Sequence, residues 1–132
     1  MYLHIPHLRV ARPVSNLALS QAMYCEGLNF QLLGSFHDHD GFDGVMLGLP
    51  GAGYHLEFIV SHRHPLPPTP TAEDLLVFYL PDHAEWVAAG ACMRAAGFAQ
   101  VPSANPYWDA RGATFADHDG YRTVLQNAKS PV

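Results

Sequence analysis

A repeat at an offset of 67 to 68 positions constrains this 132-residue chain more than any other feature. Pro13 and Pro81 stand 68 apart, as do Asn29 and Gly97, and Phe30 and Phe98. Gly53-Tyr54 is answered by Gly120-Tyr121 at an offset of 67. Order and offset kept together mark a duplicated unit. Each copy reads as a strand, a helix and three strands, a βαβββ module. One copy alone leaves a curved sheet face uncovered, and pairing two copies, within a chain or between chains, covers it.

Local signals set the elements. Residues 8–13 read as a strand. Ser15 or Asn16 can cap a helix whose positions Leu17, Ser20, Met23 and Tyr24 share one side, and Asn29 tolerates the left-handed backbone that ends it. Strands follow at 30–36, 45–49 and 54–60, separated by turn residues at 38–44 and by Pro50-Gly51-Ala52-Gly53. Pro65, Pro67, Pro68 and Pro70 stiffen a linker. The pattern then restarts with a strand at 75–80, and Asp82 with Glu85 three residues on is a capping box for a helix through Ala96, stopped at Gly97. Short strands are expected at 99–103, 113–115 and 121–126. The expectation is one α+β domain over 1–132, with module one at 7–60, a linker at 61–72 and module two at 73–128. Its curved mixed sheets carry clefts, and the chain is expected to form a homodimer.

Composition removes several classes of function. Eleven Gly and eleven Pro exclude a helical bundle. Seven Lys and Arg against twelve Asp and Glu, a net charge of −5, argue against a nucleic-acid partner, which requires a basic surface. No apolar run reaches the roughly 18 residues of a membrane span, and residues 1–13 lack a signal-peptide core, so no membrane partner and a cytoplasmic location are expected. Cys25 and Cys92 fall on the two helices and are expected as buried, reduced thiols.

The text around these elements resembles the vicinal oxygen chelate superfamily of glyoxalases, extradiol dioxygenases and bleomycin-resistance proteins. The residues Ala22-Met23-Tyr24-Cys25-Glu26-Gly27-Leu28-Asn29-Phe30 are similar to the family's first-helix ending. Asp117-His118-Asp119-Gly120-Tyr121-Arg122 is similar to its turn before the last strand, and Asn105-Pro106-Tyr107-Trp108-Asp109 with Gly112 resembles the stretch before that turn. The resemblance covers nearly the whole chain and speaks to the fold more than to an activity.

Metal-using members of that superfamily take four ligands, commonly His, Glu, His and Glu, from symmetric strand positions. In this sequence those positions fall at Arg9, Glu57, Leu75 and Val124. Only Glu57 can bind a divalent ion, because Arg offers no lone pair and Leu and Val carry no donor. His7, two residues before Arg9 and on the same side, could restore one ligand. The resemblance therefore implies the metal-free, ligand-sequestering branch, with no metal and no cofactor.

Alternation places His55, Glu57 and Ile59 on the inner face of strand four, Arg9 and Ala11 on that of strand one, and Leu75, Val77 and Tyr79 on that of strand five. Arg122, Val124 and Gln126 follow on the last strand. Arg9 and Glu57 either pair with each other or offer a donor and an acceptor to a bound molecule. Phe36 and Phe42 on the hairpin, and Tyr107-Trp108 in a loop, supply flat walls suited to a planar ligand. His37 and His39, two apart on a strand, are expected to share a face and to rim the pocket. The expected ligand-binding set is Arg9, Phe36, His37, Phe42, His55, Glu57, Tyr79, Tyr107 and Trp108. The expected function is capture of a hydrophobic or polycyclic aromatic compound such as an antibiotic, giving resistance by sequestration. The alternative is a glyoxalase-like or dioxygenase-like lyase or isomerase, using a divalent metal or Glu57 as general base.

Overall fold

The computed structural model describes residues 2–132. The elements run β1 (Leu8–Pro13), α1 (Leu17–Leu28), β2 (Gln31–His39), β3 (Phe42–Gly48) and β4 (Tyr54–Ser61). After the proline-rich stretch come β5 (Leu75–Tyr79), α2 (His83–Ala95), β6 (Ala99–Val101), α3 (Tyr107–Ala110), β7 (Gly112–Ala116) and β8 (Arg122–Gln126). The described residues fall into two compact units, those up to 25 with 29–68, and residues 26–28 with 69–132. Each holds one four-stranded mixed sheet, in the order β1-β4-β3-β2 and β5-β8-β7-β6. In each the first strand lies parallel to the fourth and the other pairs are antiparallel.

In the first unit, Asn16 is the cap of α1, its side chain accepting a hydrogen bond from the Leu19 N–H at 3.0 Å. Asn29 closes the helix at φ 56°. The apolar stripe buries Ser20, Met23 and Tyr24, and the Tyr24 ring meets Phe58 of β4 edge-on at 4.8 Å. Phe58 alternates with Leu56, and across the ladder stand Val45 and Leu47. All four are buried, so this face of the first sheet carries the unit's core.

In the second unit, the Asp82 carboxylate caps α2 by accepting from the Glu85 N–H at 2.9 Å. The helix stops at Gly97, φ 96°, with the Gly97 N–H on the Arg94 carbonyl and the Phe98 N–H on the Met93 carbonyl. Those paired bonds form a Schellman motif, which only a residue free to take positive φ completes without strain. Phe98 and Met93 bury together beneath it. The Trp86 indole N–H reaches the Leu125 carbonyl of β8 at 2.8 Å, fixing α2 on its sheet. The turn before β8 is built by Asp117, whose buried carboxylate accepts from the N–H groups of Asp119 and Tyr121.

Three expectations change. Strands two and three extend toward one another, so the polar stretch at 38–44 is mostly ladder and the turn narrows to Asp40-Gly41. Tyr107 and Trp108 lie in a short helix rather than a loop. Neither cysteine is in a disulfide, but Cys92 is exposed and Cys25 half-buried. α2 is mostly solvated, with Gly90 and Met93 its buried residues. No helix among the described residues is long and apolar enough to cross a membrane.

Candidate functional site

The face of the first sheet opposite its core gathers most of the polar candidates. The parallel register sets Arg9 against His55 and Ala11 against Glu57, and β3 sets Met46 against Glu57. Side chains of like parity then meet above the ladder. The Arg9 guanidinium donates from Nη1 to Glu57 Oε2 at 2.9 Å and from Nε to His55 Nε2 at 2.9 Å. Its Nη2 lies 3.3 Å from Met46 Sδ. His55 Nδ1 stands 2.6 Å from His7 Nε2.

That geometry fixes tautomers. A guanidinium only donates, so His55 Nε2 is the acceptor and the proton sits on Nδ1, pointing at His7 Nε2. The His55 imidazole is held below its ordinary value, first by partial desolvation and then by the Arg9 charge and the neighbouring His7, with Glu57 opposing. Glu57 is the sheltered end of the ion pair, 12% exposed against 47% for Arg9.

Beside this polar line lies an apolar concavity of about 320 Å³ walled by Phe36, Phe42 and Ile59, with Glu57 at one side and His39 and Asp40 at the rim. Gly44 makes the room. A Cβ there would collide with the Phe36 ring, 2.5 Å from Cε1, so the absent side chain lets the ring lie across β3. Arg9, Phe36, Phe42, His55 and Glu57 thus share one surface.

His37 does not join them. Phe36 pairs with Gly44 and His39 with Phe42, so His37 and Asp38 together oppose the single residue Asp43. This is a β-bulge, with Asp38 at φ 49°. His37 alternates with Phe36 onto the helix-bearing face, and the inserted residue puts His39 beside Phe36, their rings 6.3 Å apart. The expectation that His37 and His39 share a face fails there, because alternation holds only for an unbroken ladder. His37 instead meets Asp43 and His62, a grouping that no local spacing announces.

The remaining candidates belong to the second unit. Leu75, Val77 and Tyr79 stand opposite Arg122, Val124 and Gln126 in the β5–β8 ladder. Of these, Val124 and Gln126 are buried. Gln126 Oε1 is buried without a hydrogen-bond partner among the described residues, a feature the sequence reading missed. Tyr107 and Trp108 pack edge to face at 4.9 Å, with Tyr107 61% exposed.

The residues at the four positions that the resemblance implied for a metal offer one carboxylate between them. The Glu57 carboxylate is engaged by Arg9, a fixed cation stands in the first position, and Leu75 and Val124 carry no donor atom.

Comparison with known proteins agrees with this architecture. Family models described as the YycE-like N-terminal domain and the YycE-like C-terminal domain match residues 8–59 and 73–127. The uncharacterized protein YycE of Bacillus subtilis (strain 168) is 43% identical over 122 residues, covering 92% of this chain and 88% of that protein. A crystal structure of a YycE protein of unknown function from Bacillus subtilis superposes with a TM-score of 0.88 at 41% identity, over 96% of this chain and 92% of that one. More distant likenesses concern the fold alone. TnmS3, an antibiotic binding protein from Streptomyces sp. CB03234, gives a TM-score of 0.64 at 24% identity over 95% of each chain. The Leishmania major glyoxalase I gives 0.70 at 21% over 96% of this chain and 88% of that one. With its repeated βαβββ order and both family models matched, this chain is a member of the YycE-like family within the vicinal oxygen chelate superfamily.

Proposed function

We propose that this protein binds a hydrophobic, planar small molecule, a polycyclic aromatic compound such as an antibiotic, and sequesters it without a metal at the family's usual position. One observation carries the reading: the Arg9–Glu57 pair occupies that position and borders the concavity of Phe36, Phe42 and Ile59. Apolar walls beside a few convergent polar groups are the usual make-up of a small-molecule site. Phe36 and Phe42 stack on the ligand, and Arg9 and His55 orient its polar edge. His37, on the other face, drops out of this set. The antibiotic binding attributed to TnmS3 supports the class of ligand.

The protein acts as a homodimer in the cytoplasm. Leu32 and Leu33, 48% and 42% exposed on the edge strand β2, offer an apolar border for a second copy. Reduced thiols suit a reducing compartment.

The test is a fluorescence titration that follows each titrant's own emission as protein is added. The titrants are an anthracycline, a tetracycline and an anthraquinone. Saturable quenching of at least one, weakened about tenfold or more by Phe36→Ala or Arg9→Met, is expected. No response to any of them overturns the reading. Turnover of a hemithioacetal substrate that is abolished by Glu57→Gln would favour the enzymatic alternative instead.

A further inference from the structure

We propose that His37, Asp43 and His62 form a binding site for one divalent transition-metal ion, on the face of the first sheet turned away from Glu57. His37 alternates with Phe36 and so stands on the side of Asp43, and the bulge at Asp38 sends His39 back to the other face. Asp43 pairs with Val60 in β4, and His62, two residues on, follows on the same side. The His62 N–H is bonded to the Gly41 carbonyl at 2.7 Å, which pins the segment leaving β4 against the hairpin. Two strands and the segment leaving a third thus bring together residues that lie up to 25 positions apart.

The donor atoms are already convergent. His37 Nδ1 and His62 Nε2 each lie 2.9 Å from Asp43 Oδ1. All three ligand atoms fall within 4.8 Å of one another. Donors around one ion at roughly 2.0–2.1 Å stand about 3–4 Å apart, so the side chains need move by less than about 1 Å. His37 is 84% exposed and His62 47%, which leaves an open path for the ion.

The chemistry selects the class of ion. Two imidazoles and one carboxylate suit zinc, nickel, cobalt or iron(II), whereas calcium and magnesium prefer all-oxygen cages. The Asp38 N–H holds Asp43 Oδ1 from behind at 2.7 Å, an outer contact of the kind that orients a ligating carboxylate. Water completes the coordination. The bound ion ties β2, β3 and the exit of β4 together, and stands apart from whatever ligand the opposite face takes.

The test uses tag-free, EDTA-treated and dialysed protein, titrated calorimetrically with zinc and, for its visible bands, with cobalt(II). One equivalent is expected to bind with micromolar or tighter affinity and to raise the melting temperature. Asp43→Ala and the double variant His37→Ala/His62→Ala are each expected to weaken binding at least about tenfold, while Glu57→Gln and His55→Ala leave it unchanged. Because a variant could disturb the hairpin, imidazole nitrogen spectra of the unaltered protein supply a second readout. Zinc should shift one Nδ1 and one Nε2, those of His37 and His62. Absence of one-to-one binding, or binding lost with Glu57 and kept without Asp43, would overturn the proposal.

Discussion

The two sheets share strand order and helix placement, yet their corresponding faces differ. In the first, the face away from the core carries His7, Arg9, His55 and Glu57 in hydrogen-bonded contact. In the second, the matching ladder positions hold Leu75, Val77, Arg122 and Val124, with the Gln126 amide and the Thr114 hydroxyl buried on that face. Glycines mark the divergence well. Gly44 pairs with Ile59 and Gly112 with Gln126, counterparts at offsets of 68 and 67. Gly44 gives way to a Phe36 ring, whereas Gly112 gives way to the Gln126 amide and the Trp108 carbonyl, 2.5 Å from where a Cβ would lie. A duplicated scaffold has kept its backbone rules while its two copies have come to hold different chemistry.

The largest effects should be common to both sheets. Phe58 and its counterpart Leu125 are each essentially fully buried on the helix-bearing side. Replacing either with Ala is expected to cost about 2–5 kcal/mol, read from urea midpoints. A loss under about 1 kcal/mol at one site alone would mean that the second core is not the equal of the first.

Next come the glycines, where the sheets should separate. Gly112→Ala drives a methyl into backbone as well as the Gln126 amide, so about 2–3 kcal/mol of destabilisation is expected. Gly44→Ala meets only a ring that can swing aside. It should cost about 1 kcal/mol or less in urea titration and show itself in weaker ligand quenching. The reverse order would break the comparison.

Smaller still is the ion pair. With Arg9 half exposed, Glu57→Gln should change stability by about 0–1 kcal/mol. A drop in ligand affinity beyond that figure would assign the pair to binding rather than to holding the sheet.

The smallest effect concerns pH. His55 has its folded value lowered, so the folded state holds it neutral against the protonated form. Its contribution is complete above the unfolded value of about 6.5 and is lost as pH falls through the lower folded one. Urea midpoints at pH 7.5 and 5.5 should therefore converge slightly more in His55→Gln than in the unaltered protein. A larger acid loss in the variant would reverse the sign.

Much of the fold was legible because its signals are local. Asn16, Asn29, Asp82 and Gly97 act within one helical turn of themselves, and the repeat needs only counting. The face shared by Arg9, His55 and Glu57 was legible because β1 and β4 alternate without interruption. What was hidden depends on register between strands. No pattern within β2 announces that two of its residues oppose one on β3, so His37 and His39 were given a common face. Nor does spacing reveal that His62, beyond the end of β4, arrives beside Asp43. The short helix at Tyr107 was missed because four residues carry too little periodicity to read.

At Asp38 two residues of β2 face one of β3, so His37 and His39, two positions apart, stand on opposite sides of the sheet. In an unbroken ladder the same two imidazoles would share one side. One unmatched position thus lets a short run of chain furnish imidazole to both surfaces of a sheet, a division of labour that side-chain identity alone does not announce.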